Sequence, residues 1–260
     1  MKSKVFMLLK NNDWFLTLKN KESNTMQLIY FHYAGGGAYS YRQLSSDITD
    51  GFDIISMQLP GRDSRFKESF ASDMEEIIES LSNNIEEFYA KPFVFFGHSL
   101  GALIAFELAR ELQKKNITNL KHLIVSGCDA PQVLLKRKKI YNLADDDLIE
   151  EIQKFNGMPE EILAERELLV DVILPIIRGD FTISDLYQYK QGEKLLCPIT
   201  AIGGEKDTTF DPEDLLKWDE QSNIFKFKYF PGDHFFINSS HNEVVKYIHS
   251  ILTKELARYG

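Results

Sequence analysis

The sequence predicts a doubly wound α/β fold, a mostly parallel sheet with helices on both faces. Six short apolar runs recur along the 260 residues, at 26–31, 52–57, 93–96, 122–125, 199–202 and 225–230. Most are continuous rather than alternating, the mark of strands covered on both sides. Stretches of helical period lie between them, and strand–helix–strand repetition on this scale builds a helical layer on each face of a sheet.

Taken in order, the amino terminus reads Met-Lys-Ser-Lys and then a five-residue apolar run, 5–9. Five residues are too few for a signal sequence or a membrane span. The run 26–31 opens into His32-Tyr33-Ala34-Gly35-Gly36-Gly37. Met74, Ile77, Ile78, Leu81, Ile85 and Phe88 recur at helical spacing behind a Ser72…Glu75 capping box. Leu103, Phe106 and Leu112 mark a second helix. Val244, Val245, Ile248, Ile251 and Leu252 mark a C-terminal one behind Ser240…Glu243. One stretch between the fourth and fifth runs breaks the rhythm: Leu148, Ile149, Ile152 and Phe155, then 168–177 interrupted by Pro175, are helical patterns with no strand among them. An insertion of this length, about 131–189, is expected to be a helical lid over an active site. The whole chain, 1–260, is expected to be one domain.

Composition narrows the function classes. With 43% hydrophobic and 27% charged residues, a sizeable core is expected. A net charge of −9 without a basic stripe argues against nucleic acid as a partner. Cys128 and Cys197 fall in neither a CxxC pair nor a zinc spacing, so two reduced thiols in a cytoplasmic protein are expected, with no metal and no membrane partner. A monomer is expected.

The chemistry is carried by Gly97-His98-Ser99-Leu100-Gly101. A buried strand runs into this G-x-S-x-G pentad and a helix leaves it, the context in which the motif forms a nucleophile elbow and which identifies an α/β-hydrolase fold. Gly97 and Gly101 remove side chains that would collide across so tight a turn. Ser99 then stands at a helix N-terminus, where developing negative charge is favoured.

A serine nucleophile needs a base, and the base an orienting acid, in the chain order Ser, Asp or Glu, His. Among six histidines, His234 lies in Pro231-Gly232-Asp233-His234, just after the last strand run; His241 and His249 belong to the C-terminal helix, and His98 adjoins the serine. Asp207 follows the run 199–202 through Gly203-Gly204-Glu205-Lys206, and Asp129, after the preceding run, competes for the same role. The oxyanion donors are expected to be the N–H groups of Leu100 and of Ala34 in the glycine-rich loop.

At this point the sequence resembles the type II thioesterases, free-standing α/β-hydrolases that accompany non-ribosomal peptide and polyketide synthases. The resemblance runs from about Met26 to Tyr247. It is carried by Tyr33-Ala34-Gly35-Gly36; Tyr41-Arg42-x-Leu44; Gln58-Leu59-Pro60-Gly61-Arg62; Gly97 to Arg110; Gly157-Met158-Pro159; Leu174-Pro175-x-x-Arg178-x-Asp180; Gly203-x-x-x-Asp207; and Gly232-Asp233-His234. It implies hydrolysis of acyl, aminoacyl or peptidyl groups from the phosphopantetheine arm of carrier proteins, with no cofactor of the enzyme's own. It also places Ser99, Asp207 and His234 at the family's triad positions, and Ala34 and Leu100 at its oxyanion donors. The family commonly has Pro-His before Ala-Gly-Gly where this chain has His32-Tyr33, which bears on the pocket near Tyr33. A carboxylester hydrolase or acyltransferase on the same fold, and a non-catalytic binding module, are the competing readings.

Overall fold

In a computed structural model that describes residues 12–48, 51–136, 138–154, 156–158 and 160–260, seven strands form one sheet. They are β1 (Phe15–Lys19), β2 (Met26–Phe31), β3 (Phe52–Met57), β4 (Phe93–His98), β5 (Leu120–Ser126), β6 (Ile199–Gly204) and β7 (Phe225–Phe230), in the order β1-β3-β2-β4-β5-β6-β7. All neighbours are parallel except β1, which pairs antiparallel with β3 at one edge. The six apolar runs are thus the six parallel strands. The seventh strand escapes the sequence pattern because it is a short edge with mostly exposed or half-buried residues. The run 5–9, Arg137, Phe155 and Pro159 lie outside the described residues.

Successive side chains of each strand point to opposite faces, so each inner strand feeds two cores. From β2, Ile29 and Phe31 join one cluster with Phe93, Phe95, Leu123 and Val125. Its helical cover is α1 (Met74–Asn84) and α2 (Leu100–Lys114). Met26, Leu28 and Tyr30 join the opposite cluster, covered by α5 (His241–Tyr259) and a short helix, Arg42–Asp47. Continuous apolar strands follow directly from this two-sided burial.

Two predicted caps form differently. The N-cap of α1 is Asp73, which accepts from the Glu76 N–H at 2.9 Å, while Glu76 accepts from the Ser72 N–H at 2.7 Å. The cap thus falls one residue later than Ser72…Glu75, on an aspartate carboxylate that serves as well as a hydroxyl, and the returning carboxylate of Glu76 reaches the N–H before the cap rather than the cap's own. At α5, Ser240 makes no side-chain cap; its hydroxyl donates to Pro231 O at 2.5 Å, tying the helix start to the loop after β7.

Between β5 and β6 the chain is helical, with α3 (Asp145–Gln153) and α4 (Leu174–Leu186) as its longer elements. Ile140, Leu148, Ile152, Met158, Leu169, Leu174 and Ile177 form a small separate core there. Pro175 does not interrupt the chain's helical course. It occupies the start of α4, directly after a π-helical turn, Leu169–Ile173, where a missing N–H is least costly. Among the described residues no helix is long and apolar enough to cross a membrane.

Candidate active site

The strand order reverses direction between β2 and β4: β2 leads outward to β3, while β4 leads the other way to β5. In open α/β sheets the crevice beyond the carboxyl ends of the strands at such a switch point is where ligands bind. Here Phe31, the last residue of β2, pairs with Gly97 of β4. The loop carrying Ala34 and the elbow carrying Ser99 therefore leave the sheet side by side.

Ser99 has φ 53° and ψ −121°, a backbone region an L-residue occupies only when its surroundings compel it. The compulsion is close packing. A Cβ on Gly97 would lie 2.2 Å from Gly101 O, and one on Gly101 would lie 2.0 Å from Phe31 O. The Ser99 N–H donates to Ser126 O at 2.8 Å, which pins the elbow to β5. Leu100 begins α2, so its N–H has no intrahelical acceptor and is available at the cavity wall.

After β2 the chain turns at once. The Gly36 N–H donates to Tyr33 O at 2.9 Å, and His32 Nδ1 approaches the same carbonyl at 3.0 Å. The Tyr33 ring sits behind the loop. It packs edge-on to Phe235, His98 and Tyr41, with centroids 5.1, 5.9 and 6.1 Å away. Through these contacts the His32-Tyr33 pair supports the loop that carries Ala34.

His234 sits in the loop after β7, and its Nδ1 donates to Asp207 Oδ2 at 2.8 Å, with both side chains buried. Asp207 Oδ1 accepts from the Thr209 N–H at 2.9 Å and from its hydroxyl at 2.7 Å; that hydroxyl also lies 3.1 Å from His234 Nδ1. Burial pushes the Asp207 carboxyl up, but the His234 bond and charge and the Thr209 bonds outweigh it and hold the carboxyl below the usual aspartate value. Thr209 was not singled out from the sequence; its signal was an Asx-turn, an aspartate bonding the N–H two residues on. Burial, and then the charge of His234, keep the His98 pKa well below the ordinary histidine value. The His98 and His234 rings lie 4.8 Å apart between centroids. His98 Nδ1 is 2.9 Å from Ser126 Oγ. His241, by contrast, faces Asp47 at 2.6 Å on the surface.

Ser99, His234, Ala34 and Leu100 line one cavity of about 370 Å³, whose lining also includes the inserted-segment residues Ile140 and Phe181. A larger groove of about 760 Å³ lies beyond Tyr187, between α1 and α2, and contains none of the residues singled out for chemistry. Cys128 is in the wall of the same cavity, and burial pushes the Cys197 thiol up to about 12. Lys138, Lys139 and Lys154 stand at the cavity, with Lys138 and Lys154 both paired to Glu151, the latter at 2.8 Å.

A family model described as a thioesterase domain matches residues 26–252. The chain belongs to the thioesterase family. Gramicidin S biosynthesis protein GrsT of Aneurinibacillus migulanus is 37% identical over 238 residues, 91% of this chain and 93% of GrsT. Linear gramicidin dehydrogenase LgrE of Brevibacillus parabrevis is 34% identical over 249 residues, 95% of each chain. The structure of the type II thioesterase BorB from the borrelidin biosynthetic cluster superposes with a TM-score of 0.84 at 30% identity, covering 94% of this chain and 97% of BorB. The name of LgrE describes a different reaction for that protein; a serine on a strained elbow beside a buried carboxylate–imidazole pair suits acyl transfer. This thioesterase is of the type II kind, with an α/β-hydrolase fold, and its reaction is thioester hydrolysis.

Proposed function

We propose that this thioesterase removes acyl, aminoacyl or peptidyl groups from the phosphopantetheine arm of carrier proteins, with Ser99 as nucleophile, His234 as base and Asp207 as the acid that orients it. The supporting observation is the single cavity wall that Ser99, His234, Ala34 and Leu100 share, with Asp207 behind His234.

In this reading His234 Nε2 takes the Ser99 hydroxyl proton as Oγ attacks the thioester carbonyl carbon. The carbonyl oxygen becomes an oxyanion held by the N–H groups of Leu100 and Ala34; one such donor is typically worth ~10²–10³ in rate. Collapse breaks the carbon–sulfur bond, and His234 returns its proton to the departing pantetheine sulfur. Water, deprotonated by His234, then attacks the acyl-enzyme carbonyl; the bond from that carbon to Ser99 Oγ breaks, His234 returns the proton to Oγ, and the free acid leaves. Asp207, kept ionised, stabilises the imidazolium formed in both halves. The neutral ring of His98 next to His234 adds no opposing positive charge. No cofactor of the enzyme's own enters these steps.

The inserted segment, about 131–189, serves as a lid that excludes water, and Lys138 and Lys139 near its start, at the cavity, attract a phosphate-bearing arm. The test is mass spectrometry of carrier proteins loaded with different acyl groups, before and after treatment with the wild-type enzyme and with Ser99→Ala. Loss of acyl mass with the wild type alone supports the reading. Hydrolysis of simple esters without carrier unloading would replace it with a carboxylester hydrolase.

A further inference from the structure

The buried pair Arg62 and Asp180 has no part in the reaction as described, yet it grips the loop that carries Ala34. Asp180, on α4, is 1% exposed and Arg62 is 4% exposed. Arg62 Nη1 donates to Asp180 Oδ2 and Nη2 donates to Oδ1, both at 2.6 Å, a two-point guanidinium–carboxylate contact. Each partner has a further bond to the loop after β2. Asp180 Oδ2 accepts from the Gly35 N–H at 2.7 Å, and Arg62 Nη1 donates to Gly36 O at 3.0 Å. Ile177, one turn earlier on α4, closes the contact: a Cβ on Gly35, where φ is +80°, would lie 2.8 Å from Ile177 Cγ1.

This grip reaches the Ala34 donor through the planarity of the peptide bond. The Ala34 N–H and Tyr33 C=O share one rigid plane, so whatever holds that carbonyl aims that N–H. Tyr33 O is held by the Gly36 N–H, and Gly36 is held in turn by Arg62. The Gly35 N–H, next along the chain, is held by Asp180. We propose that Arg62 and Asp180 are positioning residues for the oxyanion hole: α4 is seated on the Ala34 loop by their ion pair, and the seat sets the direction of the Ala34 N–H. On this view α4 is the fixed root of the inserted segment, and any opening hinges before it. The inference rests on the reading of Ala34 as an oxyanion donor.

Asp180→Asn keeps an acceptor for the Gly35 N–H and loses charge; Asp180→Ala loses both; Arg62→Met with Asp180→Leu removes the pair without leaving a buried charge. Each is measured for melting temperature, kcat and KM on a soluble acyl-pantetheine thioester, and inhibition by the matching acyl trifluoromethyl ketone, whose adduct with Ser99 mimics the oxyanion. Expected are a 10- to 100-fold loss of kcat with KM within about twofold, a parallel loss of ketone affinity, and a smaller loss for Asp180→Asn than for Asp180→Ala. The double variant should show the kcat loss even if its melting temperature is that of the wild type. Unchanged kcat in a folded variant, or kcat loss with ketone affinity untouched, overturns the inference. Failure of the wild type to bind the ketone would instead overturn the reading of the oxyanion hole.

Discussion

His234 Nδ1 and Asp207 Oδ2 meet at 2.8 Å, both side chains out of solvent, with Thr209 holding the second carboxylate oxygen from two sides. A carboxylate so held fixes one imidazole tautomer, leaving Nε2 to face the cavity. Asp207→Asn should therefore lower kcat by ~10³–10⁴, because an amide favours the wrong tautomer and cannot stabilise the imidazolium. Asp129→Asn, altering the acid on the neighbouring loop, should cost much less. Steady-state kinetics of the two folded variants decide it, and a larger loss for Asp129→Asn would reassign the acid.

Thr209→Val removes one hydroxyl bond to a buried charge while keeping the backbone bond. Such bonds are worth about 1.5–3 kcal/mol, so kcat should fall ~10- to 100-fold, well short of the Asp207→Asn loss. Equal losses would mean that the loop itself had moved, which the crystal structure of the variant would show.

Acid should destabilise the fold through its buried neutral histidines. Burial and then the Arg62 charge, only partly opposed by Asp180, lower His32 to about 4. Between the ordinary histidine value and that value the unfolded chain takes up a proton that the folded chain refuses, so stability falls as pH drops from about 6.5 toward 4, by up to ~3 kcal/mol. His98 acts in the same direction. His32→Asn preserves a donor for Tyr33 O, and it should lose part of this dependence. Urea unfolding at pH 7 and 4.5 measures it; the same pH difference in both proteins would contradict the assignment.

Tyr187 lines both the cavity of Ser99 and His234 and the larger groove, and its hydroxyl donates to Glu107, which Arg110 holds at 2.9 Å. Tyr187→Ala should open one space into the other and raise kcat/KM for long acyl chains relative to short ones. A chain-length series of acyl-pantetheines reads this directly, and an unchanged profile would show that the cavity ends elsewhere.

Of the basic run 136–139, Lys138 is already paired with Glu151, and Lys139 stands at the cavity. Neutralising Lys138 and Lys139 together should raise KM for carrier-bound substrates by a few-fold, with little effect on soluble thioesters, and the difference should shrink in high salt. Equal effects on both substrate types would point to damage of the inserted segment rather than to charge.

The amino-acid sequence by itself determined the parallel strands, the elbow and the residues that follow each strand. Burial on two faces leaves a continuous apolar run, and a turn as tight as Gly97–Gly101 can be built from few residues, so both leave local marks. That is why Ser99, His234, Ala34 and Leu100 could be proposed one strand end at a time, with Asp129 left beside Asp207 as a competitor for the acid. What the sequence could not display is which strands are neighbours. The order that sets β2 against β4, and so Ala34 beside Ser99, is a matter of long-range pairing with no local signature, as is the choice of Asp207 as the carboxylate on His234. Arg62 and Asp180 stand 118 residues apart, each an ordinary charged residue in its own segment. Only when the inserted helix folds back over the sheet are both removed from water, and a desolvated charge then has to find its partner. Tertiary structure made that pair, and with it the seat of the Ala34 loop.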